Sequence, residues 1–145
     1  MQYKKRGTVM QLFISPKGES QRLKKDVIEL DFNGVQEDKF YAKNKQRAIL
    51  LTSTSSYILA KEHGITTPFG SLGENILVDV DLYHLVPGDR LKIGSTTLEI
   101  TQNCTICQSL SKVDKALPKL LESSRGIFAK IINGSTIKKD DIVHL

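Results

Sequence analysis

The residues best suited to chemistry lie together in Cys104-Thr105-Ile106-Cys107, which holds both cysteines of the chain. The pair follows an apolar alternating segment, Leu91 to Thr101, so the thiols are expected at the mouth of a strand. There a thiolate can ligate a metal or attack an electrophile, whereas in mid-strand a cysteine usually packs as a small hydrophobe. Cys-x-x-Cys suggests zinc first, but tetrahedral zinc takes four ligands. No second pair exists, and His63, His84 and His144 are dispersed. A dithiol redox switch wants a βαβ setting with its first cysteine at a helix N-terminus, and no such setting is evident here. Inert packing of both thiols stays open on burial statistics.

These residues must be positioned by a chain of 145 residues, a length that fits one domain spanning 1–145 with a sizeable core. With 39% apolar and 26% charged residues, the composition argues against disordered and fibrous classes. No run approaches the ~18 apolar residues of a membrane span. The start, Met1 to Arg6, is basic, but Thr8 to Ile14 is too short and mixed for a signal-peptide core. A cytoplasmic protein is therefore expected, with free thiols rather than a structural disulfide. The net charge of +5 favours anionic partners. Nucleic acid is disfavoured, because aromatics make up 6%, Trp is absent and the lysines are scattered.

Alternation and turn signals predict strands over Gly7 to Ile14, Ala48 to Thr52, Ile76 to Val80, Arg90 to Ile93, Leu98 to Thr101, Gly126 to Ile132 and Ile137 to Leu145. Ser20 to Ile28 reads as an edge strand or a loop, and Asn33-Gly34 as a turn. A helix is predicted over Thr54 to His63, capped by Thr54 or Ser55, and a second over Val113 to Leu121, limited by Pro118. Many short strands, many turns and a few short helices indicate a mainly β fold, a barrel or curved antiparallel sheet.

Two turn motifs lead into strands. Val86-Pro87-Gly88-Asp89 fixes backbone angles through Pro and Gly. Gly73-Glu74-Asn75 precedes another strand, where the Glu and Asn side chains can hold a loop by hydrogen bonds to its backbone. Neither a Walker-type phosphate loop nor GxGxxG is present.

Taken in order, Gly73-Glu74-Asn75-Ile76, Pro87-Gly88-Asp89-Arg90-Leu91-Lys92-Ile93-Gly94, Leu98 to Gln102 running into a cysteine, and Arg125 to Lys130 resemble the MOSC domain. That family is named for the C-terminal domain of molybdenum cofactor sulfurases. The resemblance extends through Gly34 to Lys39, Arg47 to Leu51, Gly134 and Asp141 to Val143. It implies a barrel-like domain that binds the molybdenum cofactor (molybdopterin), with one cysteine as molybdenum ligand or sulfur carrier. The family usually shows that cysteine five residues beyond a Thr-Gln pair; here the pair is Thr101-Gln102, and the cysteine is Cys107. A soft thiolate suits such a centre and must be deprotonated to bind.

Lys39, Lys43, Arg47, Lys112 and Arg125 are candidates to hold the cofactor's phosphate, with Arg47 and Arg125 preferred for the bidentate guanidinium fork. Gly73 and Asn75 join the binding set through their loop, and Asp38 is a candidate to orient a pocket residue or water. The chain departs from the family where Glu37 and Asp140 replace common glycines and Phe40 replaces a histidine. The expected function is reduction of N-hydroxylated small molecules, with electrons from a separate donor protein because no flavin or iron–sulfur motif is present. The alternatives are a non-catalytic carrier of cofactor or sulfur working with a sulfurase, and a metal-free barrel binding an anion or a protein.

Overall fold

A computed structural model describes residues 6–19, 21–104 and 108–145. Seven strands close into a ring: β1 (Arg6–Ile14), β5 (Ile49–Ser53), β6 (Ile76–Val78), β7 (Arg90–Ile93), β8 (Thr96–Asn103), β9 (Ile127–Asn133) and β11 (Ile142–His144). The spatial order is β11-β7-β8-β9-β5-β6-β1, and β11 returns to pair with the start of β1. All neighbours are antiparallel except β5 and β6, which run parallel. The short β2 (Leu23–Lys25) pairs with the end of β1. A separate three-stranded sheet joins β10 (Thr136–Lys138), β3 (Val27–Asp31) and β4 (Gly34–Val35).

Alternation explains the ring. In β9, Ile127, Ala129 and Ile131 point to the core while Phe128 and Lys130 stay partly exposed, and Leu91, Ile93, Leu98 and Ile100 do the same for β7 and β8. These side chains meet Val9, Leu12, Ile49, Leu51, Ile76 and Val143 inside the barrel, and Ile28, Leu30, Val35 and Ile137 of the small sheet join the same cluster. The strand β5 is buried at every position, which is why its sequence is continuously apolar up to Leu51 instead of alternating. A second cluster, Tyr57, Ala60, Leu72, Leu77, Leu110, Leu117 and Leu121, packs the helices against β6 from outside.

The long helix α1 (Thr54–Glu62) follows β5 directly and connects it to its parallel neighbour. Its N-cap is Ser53, not Thr54 or Ser55, and the Ser53 hydroxyl accepts from the Leu82 N–H at 3.0 Å instead of capping the helix. The expected helix over Val113 to Leu121 is replaced by α2 (Gln108–Ser111) and α3 (Leu117–Leu120). Pro118 lies in the first turn of α3, where its missing N–H costs nothing, so it starts a helix rather than limiting one. The expected strand Ile137 to Leu145 is split into β10 and β11 by a turn at Lys139 to Asp141. Among the described residues, no helix is long and apolar enough to cross a membrane.

Among the described residues, three non-glycine residues hold left-handed backbone: Glu37 (φ 71°), Ala42 (φ 61°) and Asp140 (φ 75°). Two of them, Glu37 and Asp140, stand where the resemblance leads one to expect glycine, the residue that reaches this region without a Cβ clash.

Candidate functional site

A cavity of about 580 Å³ opens beside the barrel, within the roughly 300–1,000 Å³ typical of small-molecule sites. Four pieces of chain build it: the end of β1 with the loop carrying Arg22, a lip from Asp38 to Arg47, the loop Gly70 to Asn75, and the segment around Cys104, Arg125 and Phe128.

The loop Gly70 to Asn75 is fixed from within. The Asn75 side chain accepts from the Leu50 N–H at 3.0 Å and donates to the Phe13 carbonyl at 3.2 Å, tying β5 to β1. Glu74 is fully buried; its Oε2 accepts from the Tyr57 hydroxyl at 2.6 Å and from the Gly70 N–H at 3.1 Å. Its Oε1 has no hydrogen-bond partner among the described residues, and burial pushes the carboxyl above its ordinary pKa. Burial, with the neighbouring Glu74, raises the Tyr57 phenol as well, so it stays a donor. Gly73 has φ +90°, and a Cβ there would stand 3.5 Å from Arg125 Nη2, so the loop runs close against that guanidinium.

Arg125 is 7% exposed and lines the cavity; its Nε donates to the Leu72 carbonyl at 3.2 Å. Its own carbonyl accepts from Thr52 Oγ1 at 2.9 Å, and the next residue, Gly126, leaves only 2.9 Å between a built Cβ and the Leu51 carbonyl. Only glycine lets the chain pass β5 this closely and still present Arg125 to the cavity. Arg22 lines the cavity too and touches the same loop. Its Nη1 donates to Ser15 Oγ at 3.0 Å, its Nη2 donates to the Glu74 carbonyl, and its Nε is buried without a partner among the described residues. Burial lowers its pKa, opposed by the charges of Glu74 and Asp38.

The lip is organised by Asp38. Its Oδ1 accepts from the Ser15 N–H at 2.7 Å and its Oδ2 from the Phe40 N–H at 3.0 Å, while the Lys39 N–H reaches the Ser15 carbonyl at 2.8 Å. Lys39, Phe40, Lys43 and Arg47 project from it, all exposed and all lining the cavity. The Arg47 guanidinium lies 5.1 Å from the centre of the Phe128 ring.

Of the residues singled out in the sequence, Asp38, Lys39, Lys43, Arg47, Gly73, Asn75 and Arg125 line this one cavity. Lys112 is exposed and is not among the lining residues. Cys107 lies outside the described residues. Cys104 is described: it directly follows β8, is buried as a free thiol and lines the cavity. Among the described residues, no three His, Cys, Asp or Glu side chains gather to hold a metal. Sequence reasoning missed Arg22 as a lining residue, because a cation in a charged loop carries no motif, whereas Phe40 was noted as a departure from the family and Phe128 only as part of a matching segment.

The sequence pattern of the MOSC domain matches residues 36–144. This chain belongs to the MOSC domain family. Its fold is similar to that of the YuaD protein from Bacillus subtilis, with a TM-score of 0.78 and 18% identity over 99% of this chain and 97% of that one. YiiM from Escherichia coli is similar at a TM-score of 0.72 and 19% identity, over 98% of this chain and 70% of that one. YiiM from Geobacillus stearothermophilus gives 0.71 and 15%, over 96% and 75%. At these identities the likeness is one of fold. No curated protein matches the sequence.

Proposed function

We propose that the cavity binds the molybdenum cofactor and that the protein reduces N-hydroxylated small molecules with electrons from a separate donor protein. The observation that carries this reading is the charge of the cavity wall. Arg22, Lys39, Lys43, Arg47 and Arg125 all face it, against the carboxylates of Glu19 and Asp38, and both oxygens of Asp38 are already taken by backbone amides. Such a wall fits an anionic, phosphate-bearing group of the cofactor's size, and the buried Cys104 shows that the strand end opens into the same space.

Arg125 and Arg47 would hold the phosphate through planar forks, with Lys39 and Lys43 adding point charges and the close-running Gly73 loop adding backbone donors. Lys112 stays a candidate only if it reaches in from outside the lining. Cys107 is the thiolate that the family pattern assigns to molybdenum, and a thiol must be deprotonated to ligate a metal. When bound, the cofactor supplies the two-electron chemistry that removes the oxygen of an N-hydroxyl group. That reduction takes up two electrons and two protons and releases water, which is why a donor partner is required. Asp38 acts as a positioning residue, holding Phe40 and Lys39 against the end of β1. Its full occupation by backbone amides also favours the second reading, a carrier of cofactor or sulfur that turns nothing over.

Purification from a host that makes the cofactor tests both. The wild-type protein is expected to carry molybdenum and pterin together, and Cys107→Ala to lose the metal and the reduction of hydroxylamino compounds by a reduced dye. Molybdenum with no reduction leaves the carrier. A wild-type protein without molybdenum, or a Cys107→Ala protein unchanged in both metal and reduction, sinks the cofactor reading.

A further inference from the structure

Five consecutive hydroxyl residues, Thr52 to Ser56, carry the chain from β5 into α1, and Thr52, Ser53 and Ser56 among them are buried. A buried hydroxyl costs free energy unless it is bonded. None of these side chains caps the helix, so their partners lie elsewhere. Thr52 Oγ1 donates to the Arg125 carbonyl at 2.9 Å, Ser56 Oγ donates to the Ser124 carbonyl, and the Cys104 N–H donates to the Gly126 carbonyl at 3.0 Å. Three successive carbonyls are clamped. The ladder between β5 and β9 ends at Leu51 and Ile127. Beyond it, side-chain hydroxyls hold the segment that turns Arg125 into the cavity.

Counting hydrogens gives these bonds a direction. Ser56 Oγ has one hydrogen, committed to Ser124, so the Tyr83 hydroxyl donates to Ser56, and the Tyr83 oxygen accepts from the Ser53 N–H at 3.0 Å. The bonds run one way, from Ser53 through Tyr83 and Ser56 to Ser124, and bonds so aligned strengthen one another. Burial raises the Tyr83 phenol, which keeps its proton for this role. The other end of Arg125 is tied to the same helix. Its Nε donates to the Leu72 carbonyl at 3.2 Å, and the Leu72 N–H donates to the Tyr57 hydroxyl at 3.3 Å.

We infer that Ser56 and Tyr83 are positioning residues for anion binding: they set the angle at which Arg125 presents its guanidinium fork to a ligand in the cavity. Neither lines the cavity, so both act through Arg125. A binding group has to be held within about 10–20° of its productive direction, and a planar fork that grips an oxyanion through two bonds depends on that angle more than a point charge does. Release of the Ser124 carbonyl is therefore read in affinity as well as in stability. As a statement about ligand this rests on the reading of Arg125 as a holder of the cofactor's phosphate.

NMR titration of the full chain with inorganic phosphate tests the assignment, on protein made in a host that cannot supply the cofactor. Ser56→Ala should weaken phosphate binding roughly fivefold, about the effect of one hydrogen bond. Tyr83→Phe should weaken it less, because Ser56 keeps its own bond to Ser124. In an Arg125→Met background both effects on affinity should vanish, whereas in an Arg47→Ala background they should persist. Stability supplies the contrast: Ser56→Ala should lower Tm equally with and without Arg125. If Arg125→Met does not fold by circular dichroism, Arg125→Lys takes its place, and the Ser56 effect should shrink below about twofold because the fork is gone. Phosphate affinity unchanged by Ser56→Ala overturns the inference. So does a loss of equal size with and without Arg125, which describes general loosening, and so does a wild-type protein that binds no phosphate. Molybdenum is measured on the wild-type protein from a cofactor-making host. Metal-free protein whose phosphate affinity still couples Ser56 to Arg125 sinks the cofactor reading alone, and metal-loaded protein without that coupling sinks this inference alone.

Discussion

The loop Gly70 to Asn75 and the lip Asp38 to Arg47 face one cavity, yet they are built on opposite terms. In the loop the functional-looking side chains are turned inward: Glu74 and Asn75 spend their polar atoms on Tyr57, Gly70, Leu50 and Phe13. In the lip Asp38, Tyr41 and Asn44 are spent this way, and Lys39, Phe40, Lys43 and Arg47 are left facing outward. Shape is therefore set by the loop and contact chemistry by the lip. Substitutions in the first should be read in stability, and substitutions in the second in ligand affinity.

The largest effect that can break this contrast is expected at Asn75. Asn75→Leu keeps the volume but strips the buried Leu50 N–H of its acceptor and the Phe13 carbonyl of a donor, costing about 2–4 kcal/mol in urea unfolding. A loss below about 1 kcal/mol, within the range of ordinary surface changes, would show that the loop is no more fixed than the lip.

Glu74 sharpens the comparison through pH. Its native pKa is raised by burial above the ordinary 4.5, so the folded protein keeps a proton that the unfolded chain releases. The Glu74 contribution is fully present below that value and is lost as pH rises towards the raised native one. The slope is on the order of 1 kcal/mol per pH unit at most. Glu74→Gln removes the titration, so unfolding curves of the two proteins should move apart in favour of the variant as pH climbs through this window. Parallel curves would mean that the loop tolerates a charge at its centre.

The smallest effect lies at the foot of the lip. Glu37 adopts φ 71° and its contact with Lys25, at 3.8 Å, is exposed. Glu37→Gly should relieve about 1–2 kcal/mol of left-handed strain and give part of it back to the greater freedom of the unfolded chain. A net gain of about 0.5 kcal/mol is expected, read as a small rise in Tm with ligand affinity unchanged. A drop in stability would mean that the Glu37 side chain holds the lip in a way its backbone does not reveal.

Much of the barrel was legible because its strands alternate: Leu91 and Ile93, Leu98 and Ile100, and Ile127, Ala129 and Ile131 all project to one core. The buried strand at Ile49 was legible for the opposite reason, an unbroken apolar run covered on both faces. The limits of short strands were less so. Leu23–Lys25 lay in a charged segment readable as an edge strand or a loop, and Thr136–Lys138 was merged with Ile142–His144, because such short, polar strands show no period and exist where a neighbour offers its backbone. The lining of the cavity was legible where a residue belonged to a motif, as with Gly73, Asn75 and Arg125. It was hidden where the residue came from a featureless loop, as with Arg22. The family departures at Glu37 and Asp140 were visible as letters, but their meaning, left-handed backbone kept without glycine, required dihedral angles.

The ring of strands closes only where residues 142–144 meet residues 6–8 on one side and residues 92–93 on the other. This contact spans almost the whole chain, so its entropic cost falls at the end of assembly and favours slow folding. During synthesis, the edges of β1 and β7 wait for β11, which follows both in the chain. Until then both are templates for pairing with other chains. This three-residue strand thus acts as the latch of the ring: brief in sequence, it covers two edges at once.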